Sequence, residues 1–262
     1  MPDSPGRAVV CTDVARTFET SGTPVPALGP LSVTFTAGHT TALVGPSGCG
    51  KSTLLRLIAG LDMPTTGMIR IGDETPEDLR RRAGLAMAFQ DASLLPWRSL
   101  QGNIALALTL ARRAADPEQV DRLIHMVGLA GFEDRRPAEL SGGMRQRAAI
   151  ARCLVGAPEL LLLDEPFGAV DELTRRRLGR DLPALWQARQ TTALMVTHSV
   201  IEAVTIADRV IVLSPRPATI VADIDIPLSR PRDEDDAAFR DLVHSVTAAL
   251  QASSPERPLA AQ

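Results

Sequence analysis

An α/β fold built on a largely parallel sheet is predicted by two features of the sequence. Short β-rich apolar runs alternate with helical patterns, and the run LLLLD (160–164) is apolar without alternation, as a strand covered on both faces must be. A third feature refines the architecture. From about Leu100 to Val155 strand character nearly vanishes, so an inserted helical subdomain is expected over about residues 95–155.

The elements follow in order. Residues 31–36, LSVTFT, alternate apolar and polar and predict a strand of a half-exposed antiparallel sheet near the N-terminus. TTALV (40–44) reads as a buried strand, followed by a glycine-rich turn and the helical pattern STLLRLIAGL (52–61). GMIRIGD (67–73) and LAMAF (85–89) continue the sheet region. In the insert, Asp116 is a candidate N-cap, with Pro117 at the first helical position, Gln119 three residues after the cap and Gly128 placed to end the helix. Strands return at TALMVT (192–197) and RVIVLS (209–214). Residues 1–232 are expected to form one unit, and 233–262 a terminal helix (237–250) followed by a disordered tail from Ala252. No internal repeat is evident.

Composition narrows the function. The chain has 262 residues, a net charge of -3 and a pI near 5.8, which argues against a coat for nucleic acid or for a bare anionic membrane. No apolar run approaches the roughly 18 residues of a spanning helix. The N-terminus lacks a basic region followed by an apolar stretch, and three irregularly spaced cysteines suggest neither a disulfide framework nor a zinc site; a cytosolic chain is expected. The arginine triplets at 80–82 and 175–177 are expected on solvated surfaces.

Lys51 is the only lysine among 28 basic residues. It stands in GPSGCGKST (45–53), which fits G-x-x-x-x-G-K-[ST] between a strand and a helix, the context that gives this motif its meaning. Gly45, Gly48 and Gly50 let the backbone bend so that N–H groups, with Pro46, Ser47 and Cys49 between them, point inward at phosphate oxygens. Lys51 would reach the terminal phosphates of a nucleotide, Ser52 would hold Mg²⁺, and Thr53 continues the helix whose N-terminus favours anions. A compact ammonium fits inside such a loop where a forked guanidinium does not. With no second lysine, the N-K-x-D motif of Ras-type GTPases is excluded. Cys49 is either a reactive thiol or an inert small residue.

Asp164 and Glu165 end the strand in LLLLDEP (160–166). An aspartate there holds Mg²⁺, and the adjacent glutamate is a candidate general base for the attacking water. A third segment, LSGGMRQR (140–147), opens a helix with Ser141, Gly142 and Gly143, whose hydroxyl and N–H groups suit a γ-phosphate.

Together these segments resemble the ATP-binding subunit of ABC transporters over about residues 9–232. The resemblance implies a P-loop, RecA-like core, ATP and Mg²⁺, and a dimer in which the Ser141 segment of one copy faces the phosphate loop of the other. It implies further roles. Gln90 contacts Mg²⁺ and links the core to the helical insert, His198 contacts the γ-phosphate, and Asp171 connects the two ATP sites. Phe18 is placed to stack on adenine where many relatives have tyrosine, although a phenylalanine there serves equally well as core. Ala88 and Val170 depart mildly from the family pattern.

LLPW (94–97) is similar to the nitrate, sulfonate and taurine importer group, as is IPLSRPRDEDDAAF (226–239). In that group Leu94, Leu95, Pro96 and Trp97 would receive a helix of a membrane permease, with Arg98 adding a cap contact, and a solute-binding protein would act indirectly. Trp97 filling the core of the helical insert is the competing reading. The resemblance leaves an exporter ATPase, or a soluble ABC ATPase of DNA repair or translation, as alternatives. Either would keep the chemistry and change the partner. No nucleic-acid partner is expected.

Overall fold

The run LLLLD forms strand β6 (Leu160–Asp164) and is buried on both faces: Leu160 and Leu162 enter one core, Leu161 and Leu163 the other. Strand β3 (Thr40–Val44) behaves alike, sending Leu43 to one core and Ala42 and Val44 to the other. The structure, a computed structural model, describes residues 6–20 and 22–253. Its main sheet has six strands in the order β5 (Leu85–Ala88), β6, β7 (Thr192–Val196), β3, β8 (Arg209–Leu213), β9 (Ile220–Asp225). The first five are parallel and β9 is antiparallel to β8.

A second, antiparallel sheet of three strands has the order β2 (Thr23–Phe35), β1 (Val9–Thr20), β4 (Thr66–Ile71). The expected α/β core with an N-terminal antiparallel sheet is therefore what the chain adopts. The alternating segment is the end of a longer β2, with Leu31, Val33 and Phe35 buried and Ser32 and Thr34 exposed. Sequence patterning missed β1 and β9.

Between β5 and β6 lie helices α3 (Leu100–Leu110), α4 (Pro117–Met126) and α5 (Gly142–Val155). Asp116 caps α4 by accepting from the Gln119 N–H at 2.8 Å, and Gly128 follows the helix with φ 67°. The Gln119 amide does not return to the cap. It donates to the Val155 carbonyl at 3.0 Å and ties α4 to α5. Arg147 of α5 donates to the Val127 and Gly128 carbonyls at 2.8 and 2.9 Å, holding the other end of α4.

The remaining helices are α1 (Lys51–Ile58), α2 (Pro76–Arg81), α6 (Glu172–Asp181), α7 (Pro183–Gln187), α8 (Val200–Ile206) and α9 (Ala237–Ser253). The terminal helix extends into residues 252 and 253, which were expected in the disordered tail; the rest of that tail lies outside the described residues. In the SRPRD segment, Arg230 donates to Asp208 and to the Ile206 carbonyl, and buried Arg232 donates to the Val204, Ala207 and Ile226 carbonyls. These two arginines satisfy the C-terminal carbonyls of α8, against which α9 packs.

The arginine triplets lie on the surface as expected, all exposed except the half-buried Arg175, and two of their members also make specific bonds. Arg82 bridges Glu74 and the buried Glu159, and Arg175 donates to the Val170 carbonyl at 2.9 Å. The three cysteines are free and buried. Among the described residues no helix is long and apolar enough to cross a membrane.

Candidate nucleotide-binding site

Strands β5, β6, β7 and β3 lie side by side and point the same way, so the segments that follow them meet at one edge of the sheet. Gln90 follows β5, Glu165 follows β6, His198 follows β7, and residues 45–50 follow β3. Register keeps these ends level: Val196 pairs with both Asp164 and Leu43. The crevice outside such carboxyl ends is where open α/β sheets bind ligands.

The loop after β3 needs its glycines. Gly48 and Gly50 have φ of 72° and 125°, and a Cβ on Gly50 would lie 2.8 Å from the Ala27 carbonyl oxygen. A Cβ on Gly45 would sit 2.9 Å from the Leu213 carbonyl oxygen, whereas around Gly48 nothing lies within 4 Å. Cys49 has a buried side chain, and its N–H closes the turn onto the Pro46 carbonyl at 3.2 Å. That burial favours the inert reading of its thiol. Ser47 stands exposed between them. Lys51 is only 6 % exposed, and its Nζ donates to the Gly45 and Pro46 carbonyls at 2.7 and 2.9 Å. The ammonium is thus held inside the concave side of its own loop. Lys51, Ser52 and Thr53 begin α1, and the first N–H groups of a helix have no partner within it.

Ser52 Oγ donates to Asp164 Oδ1 at 3.0 Å. Asp164 is buried, and its carboxyl is pushed above the usual range chiefly by that burial, with the Glu165 charge adding to the shift and Ser52 and Lys51 opposing it. A buried carboxylate beside a hydroxyl suits a small hard cation completed by substrate oxygens. Among the described residues no three His, Cys, Asp or Glu side chains gather into an all-protein metal cage. By the chemistry of its oxygen donors the Ser52–Asp164 pair fits Mg²⁺.

Glu165 adopts φ 48°, uncommon for a residue with a side chain, while its N–H donates to the Val196 carbonyl at 2.9 Å. Its Oε2 lies 3.3 Å from the donating Gln90 Nε2 and 3.6 Å from His198 Nδ1. Two residues distant in sequence thus converge on one oxygen of Glu165, the residue directly after Asp164 of the Ser52–Asp164 pair.

The other expected site residues lie apart from this group. Ser141 caps α5, accepting from the Met144 N–H at 3.2 Å. Gly142 and Gly143 begin that helix against the segment preceding Asp171, where a Cβ on Gly143 would lie 2.9 Å from the Ala169 carbonyl oxygen. Asp171 caps α6 through the Thr174 N–H at 3.0 Å, and that hydrogen bond, with the Thr174 hydroxyl, holds its carboxyl below the usual range. Within one copy the Ser141 segment packs on the Asp171 loop, and no hydrogen bond joins it to the phosphate loop among the described residues. Phe18 on β1 is half-buried rather than core, with the Arg16 guanidinium 4.5 Å from its ring centre.

Trp97 is 68 % exposed, which rules out the reading that it fills the insert's core. Pro96 is exposed beside it, while Leu94 packs on the core below and Leu95 is half-buried. Sequence reasoning missed what holds this turn. Buried Asn103 accepts from the Leu95 N–H at 2.7 Å and donates to the Leu95, Arg98 and Ser99 carbonyls at 3.0–3.2 Å. From α5, Arg152 donates to the Ala92 and Ser93 carbonyls and Gln146 to the Phe89 carbonyl. A lone asparagine opening the largely apolar NIALALTL was the available signal.

Comparison with known proteins agrees with this fold. The model of the ABC transporter family matches residues 28–168. The aliphatic sulfonates import ATP-binding protein SsuB 1 of Mesorhizobium japonicum is 47 % identical over 199 residues, covering 75 % of this chain and 72 % of that one. The nitrate import ATP-binding protein NrtD of Synechococcus elongatus is 40 % identical over 227 residues, covering 85 % and 82 %. A solved dimeric ABC transporter cassette, MJ0796, superposes with a TM-score of 0.77 at 28 % identity, covering 84 % of this chain and all of that one. The chain therefore belongs to the ABC transporter family, as an ATP-binding subunit.

Proposed function

We infer that this chain hydrolyses ATP to drive an ABC importer of a small anionic solute such as an aliphatic sulfonate, taurine or nitrate. The observation that carries the catalytic part is the convergence of Gln90, Glu165 and His198 beside the buried Ser52–Asp164 pair. The importer part rests on the import proteins among its relatives and on the exposed Pro96–Trp97 turn. On this reading the chain sits peripherally at the cytoplasmic face of the membrane, docked to permease subunits around Leu94, Leu95, Pro96 and Trp97. A solute-binding protein delivers cargo to the permease. Residues 1–232 act as the ATPase unit, carrying the helical insert of about 95–155, and 233–262 as an appendage.

The residues divide the work as follows. The N–H groups of the 45–53 loop bind the phosphates, with Lys51 exchanging its carbonyl partners for their terminal oxygens. Ser52, Asp164 and Gln90 would hold Mg²⁺, which would neutralise phosphate charge. Glu165 takes a proton from the attacking water, and His198 stabilises charge on the γ-phosphate. Phe18 borders the adenine. Ser141, Gly142 and Gly143 of a second copy close over the nucleotide, and Asp171 links the two sites. The dimeric relative supports such an assembly, as does the ADP and Pi bound in its post-hydrolysis form.

Co-purification of the tagged chain from detergent-solubilised native membranes tests the reading. A polytopic permease should be recovered, and the complex should hydrolyse ATP only with Mg²⁺. Recovery with an exporter, or with a ribosomal or nucleic-acid partner, would overturn the importer while leaving the ATPase in place.

A further inference from the structure

Phe18 belongs to β1, and the residue that holds its ring has no part in the roles above. The guanidinium of Arg16, on the same strand, lies 4.5 Å from the ring centre. Arg16 Nη1 donates to the Met63 carbonyl at 2.9 Å, while its Nε is buried with no hydrogen-bond partner. An arginine swung out into water would satisfy every donor. This one leaves a donor unused and stays against the ring.

The segment that accepts from Arg16 is itself tied down. The Thr65 N–H donates to the Ala15 carbonyl at 2.8 Å, and the Thr17 N–H donates to Thr65 Oγ1 at 3.0 Å. Residues 63–65 thus clasp β1 on both sides of Arg16. Just before them, Asp62 accepts from Arg56 Nε at 2.7 Å, and Arg56 lies on α1, the helix that begins at Lys51. A second route leads to the same place. Arg16 stands opposite Leu28 of β2, and a Cβ on Gly50 would lie 2.9 Å from Leu28 Cδ2. Through Arg16 the Phe18 ring is fixed to the body that carries the phosphate loop.

An aromatic ring has two faces. With a cation against one of them, a base stacks on the other, and the cation restrains the ring without closing that second face.

We propose that Arg16 is a positioning residue for nucleotide binding: it takes one face of Phe18 and presents the other to the base, at a fixed offset from the phosphate loop. The inference rests on the proposed stacking of Phe18 on adenine. In this role Arg16 touches neither the phosphates nor the reacting atoms.

Steady-state hydrolysis of ATP by the full chain tests it, using R16M, F18A and the double variant, with inorganic tripolyphosphate as a competitor at constant free Mg²⁺. R16M keeps an unbranched stem of similar bulk but removes the charge and the donors. Half-saturating ATP should rise roughly 3- to 10-fold in R16M, with kcat changed less than about twofold, and at least as much in F18A. Tripolyphosphate has no base, so its inhibition of R16M should stay within about twofold of wild type. The double variant should be no worse than F18A alone. F18A with the wild-type ATP requirement would remove the stacking role and the inference with it. A weakened F18A beside an unchanged R16M would overturn the positioning role and leave the stacking in place. Effects that multiply, or an R16M that loses tripolyphosphate along with ATP, would show that Arg16 acts on the phosphate loop rather than through the ring, and would overturn the inference as well.

Discussion

His198 Nδ1 lies 3.6 Å from Glu165 Oε2, a distance set by two neighbouring parallel strands that end level with each other. Gln90 donates to the same oxygen from the strand on the other side. A carboxylate approached in this way has a defined orientation while retaining a second oxygen for water.

Replacing Glu165 with Gln should therefore retain ATP binding and nearly abolish turnover. The amide preserves shape but cannot take a proton, and loss of a general base lowers rates by about 10²- to 10⁴-fold. Steady-state ATPase assays, nucleotide-binding titration and gel filtration check this. Bound ATP with a trapped dimer is the expected result, and normal cycling would remove Glu165 from its role.

Lys51→Arg should fail despite keeping the charge. The Nζ of the nearly buried Lys51 occupies a space bounded by two carbonyls at 2.7 and 2.9 Å on the concave side of its loop. A guanidinium is wider and cannot reach both oxygens from the same stem. The expected loss in kcat/KM is about tenfold or more, equivalent to about 1.4 kcal/mol of transition-state binding. Wild-type kinetics for the arginine variant would show that charge alone suffices, leaving the single lysine unexplained.

The segments legible in the sequence are those whose chemistry is local. GPSGCGKST and LLLLDEP each carry their meaning within a few residues, and the parallel core follows from runs such as LLLLD. Strand β1 was hidden because its pairing slips between Cys11 and Val14, Val14 and Arg16, and Arg16 and Thr17, which breaks the alternation that marks a strand. Strand β9 alternates in burial but is short and carries two aspartates. Asn103 was missed for another reason: its bonds to Leu95, Arg98 and Ser99 form only once the turn before α3 has folded back on the helix, and it belongs to no motif. The meeting of Gln90, Glu165 and His198 was implied by resemblance alone, because strand order is not written in any one segment.

Trp97 and Asn103 should separate docking from stability. Trp97 is exposed and makes no contribution to the core, so Trp97→Ala should change stability by less than about 0.5 kcal/mol while reducing permease recovery. Asn103→Ala strips four part-buried hydrogen bonds from the turn and leaves the Leu95 N–H without its acceptor, a loss of about 2–4 kcal/mol. Thermal melts of both variants alongside co-purification check the distinction. A Trp97→Ala chain that recovers permease as well as wild type would move the docking surface elsewhere.

Glu202 should make stability depend on pH in a definite direction. Burial raises its carboxyl from 4.5 to about 7, with Thr197 and Arg175 opposing the rise and Glu165 and Glu172 adding to it. Below about pH 4.5 the group is protonated in both folded and unfolded chains and contributes nothing. Between about 4.5 and 7 the unfolded chain ionises while the folded one resists, so stability falls as pH rises; above 7 the penalty is constant. Its ceiling is about 3 kcal/mol, since each tenfold gain in proton affinity on folding is worth about 1.4 kcal/mol. Glu202→Gln removes this titration, so the variant should gain on wild type between pH 5 and pH 8. Urea unfolding of both proteins across that range is the measurement. Parallel curves would show that the folded protein accommodates the carboxylate without penalty.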